Sequence, residues 1–157
     1  MSRSLNDADI RSSQSEPMII DAHVHVFPDV FRDRREELIL RDKTFRELYT
    51  NPKTVMGTVE ELIEAMDKAE VDVAVMVGIG WSEVDLAREA NNHLAEAVAQ
   101  SNGRLIGFCA INPAWGDEAI AEVERCVAAG LRGIGEFHPD TQGFSIDDVT
   151  TMVQLMK

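Results

Sequence analysis

Three apolar runs, VDVAVMVGI (71–79), RLIGFCAIN (104–112) and LRGIGEF (131–137), recur at intervals of roughly 30 residues, with amphipathic stretches between them. Continuous runs rich in β-branched residues mark strands covered on both faces, as in parallel sheets. Each intervening stretch carries helix signals. Thr58 and Glu61 form a capping-box pattern ahead of Val59, Leu62, Ile63 and Met66. Ser82 and Asp85 are expected to cap a second helix, with Leu86, Ala90, Leu94 and Ala97 at helical spacing, that stops at Gly103. A third is expected over 117–129, ending at Gly130 in the position of a left-handed C-cap. Ser145 and Asp148 are expected to open a last helix running to Lys157.

A fourth strand precedes these three. MIIDAHVHVFP (18–28) is strongly β-prone and is broken by Phe27-Pro28. The chain is therefore α/β, with βα repeated four times, which implies parallel strands joined by right-handed crossovers. A doubly wound sheet and a (β/α) barrel both satisfy that rhythm. No glycine-rich dinucleotide fingerprint follows any strand, which removes the main positive sign of the first.

Inside the first strand, Asp21, His23 and His25 alternate, and residues i, i+2 and i+4 of a strand share a face. Two imidazoles and a carboxylate on one face of an apolar strand are costly to bury without partners, and a divalent cation supplies one. His23 and His25 fall at the end of strand 1, Glu136 and His138 at the end of strand 4. Barrels place their chemistry at that end of the strands.

The rest of the chain bounds the function. Apolar content of 45% and charged content of 27% are those of a globular protein, and a net charge of −13 disfavours nucleic-acid or anionic-membrane surfaces. Arg32, Arg34 and Arg35, interleaved with acids, read as a solvated cluster within a polar, partly helical excursion over 29–56. Nothing approaches 18 consecutive apolar residues, so no membrane span is expected. Residues 1–17 read as a disordered tail without the apolar core of a signal peptide, and a cytoplasmic location is expected. Cys109 and Cys126 lack paired spacing and read as buried free thiols.

IIDAHVHVFP, GRLIGFCAINP and GLRGIGEFHPDTQGF together resemble the amidohydrolase superfamily, in the branch that contains aminocarboxymuconate-semialdehyde-decarboxylase-like enzymes. The resemblance spans residues 18–157 and implies a metal-dependent (β/α)8 barrel of the TIM type. It implies His23 and His25 as metal ligands. Glu136 occupies the strand-4 place where relatives carry a carboxylated lysine or a glutamate. His138 is a candidate substrate or outer-sphere group, or a histidine bonded within its own His-Pro turn, and Asp21 is grouped with it. Trp81 and Trp115, just after strands 2 and 3, either line a pocket for a planar substrate or pack over the barrel rim. The implied cofactor is a divalent metal, zinc first and manganese as the alternative, supplying Lewis-acid chemistry. C–N or C–O hydrolysis of a small molecule is the first expectation, and non-oxidative decarboxylation of an unsaturated or aromatic acid the second. A TatD-type deoxyribonuclease shares the Asp-X-His-X-His pattern and the strand-4 Glu. His138-Pro139, Asn112-Pro113 and the acidic charge fit it less well.

One departure matters. Barrels of this kind have eight strands in about 250 residues, and this chain shows four. The resemblance places further histidines on strands 5 and 6 and a basic aspartate on strand 8. His93, the one histidine left over, is expected mid-helix at the surface. The expectation is the first half of a barrel, inactive alone, with open edges at strands 1 and 4. A half-barrel that pairs with itself or with a separate partner is one alternative, and a non-catalytic binding module is another.

Overall fold

A computed structural model describes residues 17–155. The tail expected over 1–17, apart from Pro17, and positions 156–157, where the last helix is expected to end, lie outside the described residues. Strand β1 (Ile20–Val24) leads into three short helices, α1 (Asp29–Asp33), α2 (Arg35–Arg41) and α3 (Lys43–Tyr49). Then follow α4 (Val59–Ala69), β2 (Val73–Val77), α5 (Val84–Gln100) and β3 (Leu105–Cys109). A 3-10 turn (Pro113–Trp115), α6 (Asp117–Ala128), β4 (Gly133–Ile134), α7 (Pro139–Gln142) and α8 (Val149–Leu155) complete the order. The strands lie side by side as β1-β2-β3-β4, all parallel. That is four consecutive βα units of a barrel, with β1 and β4 as the open edges. Ile20 at the start of β1, and Met18 and Ile19 just before it, are accordingly exposed.

Local signals explain most boundaries. The Thr58 hydroxyl accepts from the Glu61 N–H at 3.3 Å, and the Glu61 carboxylate accepts from the Thr58 N–H at 3.0 Å, closing the capping box of α4. Gly130 ends the α6 segment with φ +101°. Two helix starts differ from expectation. Ser82 and Asp85 do not cap α5, whose boundary residue Glu83 has no side-chain cap. Instead the buried Asp42 carboxylate, reaching in from the start of α3, accepts from Ser82 N–H (2.7 Å), Ser82 Oγ–H (2.9 Å) and Glu83 N–H (3.1 Å). Its other oxygen caps α3 through Phe45 N–H at 2.8 Å. At α8 the cap is Asp148, which accepts from Thr150 N–H (3.0 Å) and Thr151 Oγ–H (2.7 Å), while Ser145 Oγ accepts from Asp147 N–H.

The core has two parts. One lies between the sheet and α4, α5 and α6, and includes Met66, Met76, Leu94 and Leu105 together with the free thiols of Cys109 and Cys126. The other corrects the reading of 29–56 as a polar excursion. Phe27, Phe31, Leu38, Phe45 and Tyr49 wrap Trp81 and Ile79 beyond the end of β2. Phe31, Leu38 and Phe45, seven residues apart, turn inward from α1, α2 and α3 in turn, joined by Tyr49 of α3, while most charged side chains of these helices face out. The arginines are likewise engaged rather than merely solvated. Arg32 pairs with Glu61, and Arg34 with Glu37 and Glu89. Arg35 donates to the carbonyls of Tyr49, Asn51 and Thr54.

His93 also departs from expectation. It is half-buried on α5, and its Nε2 is enclosed without a hydrogen-bond partner. Among the described residues no helix is long and apolar enough to cross a membrane.

Candidate metal centre

Side chains at the ends of β1 and β4 approach one another, although these are the two outer strands of the sheet. In β1 the register runs Ile20↔Val73 and Asp21↔Ala74, then jumps to Val24↔Met76, so one extra residue is accommodated before Val24. Such a bulge re-aims side chains. The alternation that grouped Asp21 with both histidines stops there. Asp21 stays exposed, its carboxylate accepting from the His23 N–H at 3.2 Å, and it does not join the convergent group.

His23, His25 and Glu136 do converge. Their ligand atoms all lie within 4.8 Å of one another. His23 Nε2 is 3.2 Å from His25 Nε2 and 3.1 Å from Glu136 Oε2, and His25 Nε2 is 3.7 Å from Glu136 Oε1. The two rings stand nearly perpendicular, 82° apart. His25 is fixed by β2, because its Nδ1 lies 3.0 Å from the Val77 carbonyl. Glu136 is fixed by its own backbone, whose N–H donates to Gly78 O at 2.8 Å. The turn before it uses Gly135 at φ +142°, a conformation open to glycine. His138 Nε2 lies 2.8 Å from Glu136 Oε1, so His138 contacts the carboxylate and not the two histidines.

The donor set fits a divalent cation. A carbonyl can only accept, so His25 Nδ1–H donates to Val77 O, and the tautomer that this bond selects turns the Nε2 lone pair toward His23 and Glu136. One proton on His23 can satisfy only one of the two acceptors beside it, whereas a cation satisfies all three groups. Two imidazole nitrogens and a carboxylate suit zinc, manganese or iron in preference to calcium or magnesium. Half of the His23 side chain is exposed, so the cradle opens to one side.

The tryptophans divide. Trp81 is 1% exposed and stacks on Phe45 at 5.7 Å, so it forms core and offers no face to a substrate. Trp115 is half-buried in the 3-10 turn and packs against both core clusters. Sequence reasoning missed two residues near the centre. Burial, and then the charge of Glu136, push the Tyr49 phenol up to about 12, which keeps it a neutral donor. Gln142 is buried beside His138, bonded to its N–H at 2.9 Å.

A family model described as Amidohydrolase matches residues 20–150. The 2-amino-3-carboxymuconate-6-semialdehyde decarboxylase of Dictyostelium discoideum is 24% identical over 157 residues, covering 82% of this chain and 42% of that protein. A 5-carboxyvanillate decarboxylase from Novosphingobium aromaticivorans, solved with manganese and 3-methoxy-4-hydroxy-5-nitrobenzoic acid, superposes with a TM-score of 0.71 at 21% identity. That match covers 90% of this chain and 47% of the other. A dihydroxybenzoic acid decarboxylase from Polaromonas, with manganese and 2-nitroresorcinol, gives 0.51 at 23% identity, covering 74% and 37%. The chain thus spans under half the length of each of these proteins. With four parallel βα units and a family match over most of its length, the chain belongs to the amidohydrolase family.

Proposed function

We propose that these residues form the first half of a metal-dependent decarboxylase that removes carbon dioxide from a small unsaturated or aromatic acid. The observation that carries the metal centre is the convergence of His23, His25 and Glu136 within 4.8 Å. Decarboxylation is preferred over the C–N or C–O hydrolysis expected above because all three relatives described are named decarboxylases. Manganese is preferred over zinc because both of the solved structures described hold it.

A bound cation would supply Lewis-acid polarisation of a substrate oxygen. The chain's own groups do the rest of what is assigned here. His23 and His25 offer Nε2 lone pairs, the second oriented by Val77. Glu136 offers a carboxylate steadied by His138. The open side at His23 admits a small molecule, and the acidic chain disfavours nucleic acid. In the reaction the bond to the carboxylate carbon breaks, its electron pair stays on the substrate carbon, and a proton takes the place of carbon dioxide. We assign the remaining metal ligands and the proton donor to elements outside these four βα units, which would seat against the open edges of β1 and β4.

The test is metal content by elemental analysis coupled to light scattering, followed by carbon dioxide release from hydroxybenzoic acids in the assembled protein. About one manganese per site and carbon dioxide as product would support the proposal. No bound metal would overturn the centre. Turnover that yields a hydrolysis product alone would overturn the reaction and return C–N or C–O hydrolysis to first place.

A further inference from the structure

Gln142, the last residue of α7, is 5% exposed, and every polar atom it has is used. Its Nε2 donates to the carbonyls of Trp81 and Ile111, each at 3.0 Å. Its Oε1 accepts from the His138 N–H at 2.9 Å. Its own carbonyl accepts from Asn112 Nδ2 at 2.9 Å, and its N–H donates to His138 O at 2.9 Å. Trp81 and Ile111 lie just past the ends of β2 and β3, while His138 follows β4. One side chain therefore fastens three strand ends together.

Only glutamine meets those demands. The position needs two donors and one acceptor at a fixed reach. Glutamate supplies no donor, leucine or methionine supplies neither, and asparagine is one methylene short. The neighbouring backbone is fitted just as closely, because a Cβ on Gly80 would lie 2.7 Å from the His138 nitrogen and 3.0 Å from Gln142 Oε1. Segment 136–138 is thus pinned at both ends, by Gly78 O at Glu136 N–H and by Gln142 at His138 N–H. Between the pins the Glu136 carboxylate is presented 3.1 Å from His23 Nε2.

We infer that Gln142 is the positioning residue of the centre. It sets where the Glu136 carboxylate stands relative to the two histidines, without touching a ligand to the cation itself. The effect on metal affinity rests on the metal centre proposed above, whereas the bracing of Glu136 does not.

The test uses the full chain with two perturbations, Gln142→Met, which removes the side-chain bonds, and Gly80→Ala, which keeps the amide but crowds both the His138 backbone and Gln142 Oε1. The control is Glu122→Gln, in a buried network on α6 outside the centre. Calorimetric titration with manganese alone is expected to show affinity lower by roughly tenfold in both variants, the low end of the scale for losing a direct partner of a ligand, and unchanged in the control. Amide hydrogen exchange without metal gives a second readout. Exchange at Glu136, which Gln142 does not bond directly, is expected to quicken in both variants while the β2–β3 ladder keeps its protection. Unchanged exchange at Glu136, or a uniform quickening across β2 and β3, would reduce Gln142 to a stability role and overturn the inference. A wild-type chain that takes up no manganese would overturn the metal centre instead, and the exchange comparison would still decide Gln142. If Gln142→Met does not fold, Gln142→Glu, which keeps the length of the side chain and loses both donors, takes its place in the comparison.

Discussion

The Nδ1 of His25 lies 3.0 Å from the carbonyl oxygen of Val77, the last residue of β2, so a β1 side chain is aimed by its neighbouring strand. His25→Ala should delete one hydrogen bond, worth about 1 kcal/mol, together with one donor to the cation. The expected outcome is a small loss of stability by chemical denaturation and manganese content at background. Glu136→Gln keeps the shape but removes the charge, and should weaken metal binding in a chain that still folds. An unchanged metal count per chain in either variant would remove that residue from the ligand set.

Metal removal should be visible as lost stability. A ligand held only by the folded state adds about 2.7 kcal/mol when free at 100 times its dissociation constant. For a chain of this size that corresponds to roughly 5–10 °C in melting temperature. Chelation should lower the melting temperature by that amount in the wild-type chain and leave a His23→Ala/His25→Ala variant where it was.

Asp42 carries the largest non-local cap in the molecule as described. Its buried carboxylate serves the starts of both α3 and α5. Asp42→Ala strands those N–H groups and should cost about 3 kcal/mol, the sum of a helix cap and charge-assisted bonds. Denaturation with an unchanged m-value is the expected signature. A loss below about 1 kcal/mol would mean that water replaces the carboxylate at both helices.

Two groups should shape the acid limb of stability. Burial lowers the pKa of His93, so the unfolded chain takes up that proton first and stability declines as pH falls below about 6.5. Burial would raise Glu122, but the Arg125 guanidinium and the Asn91 amide outweigh it and hold the carboxyl at about 2. Its contribution is full above the unfolded value near 4.5 and is lost as pH falls toward 2, roughly 3 kcal/mol in all. His93→Leu should flatten the first decline and Glu122→Gln the second, in denaturation series taken across pH.

The βα rhythm was legible because it rests on long, strongly patterned segments such as 71–79 and 104–112. The strand-end rule put His23 and His25 at one strand end and Glu136 at another, and it took the family resemblance to group the three residues that the structure brings within 4.8 Å. Other features depend on contacts that no short window contains. The bulge before Val24 separated Asp21 from its alternating partners. Asp42 acts across 40 residues on Ser82, which a local capping rule assigns to Ser82 itself. Phe31, Leu38 and Phe45 were diluted among arginines and glutamates, so a core segment read as polar, although their seven-residue spacing was there to be seen. Gln142 ends a four-residue helix too short to show a period, and only its three strand-end partners reveal what it does.

Because His23 stands on one edge strand and Glu136 follows the other, the donor cradle spans the full width of the sheet. Any flattening or further curling of the four strands changes the gap between its jaws. An ion seated there would work as a rivet, and its grip would gauge the arc of the sheet. Elements docking on β1 or β4 would tighten or spring that rivet without touching it. Closure of the barrel and capture of the ion would then be a single mechanical event read at two places.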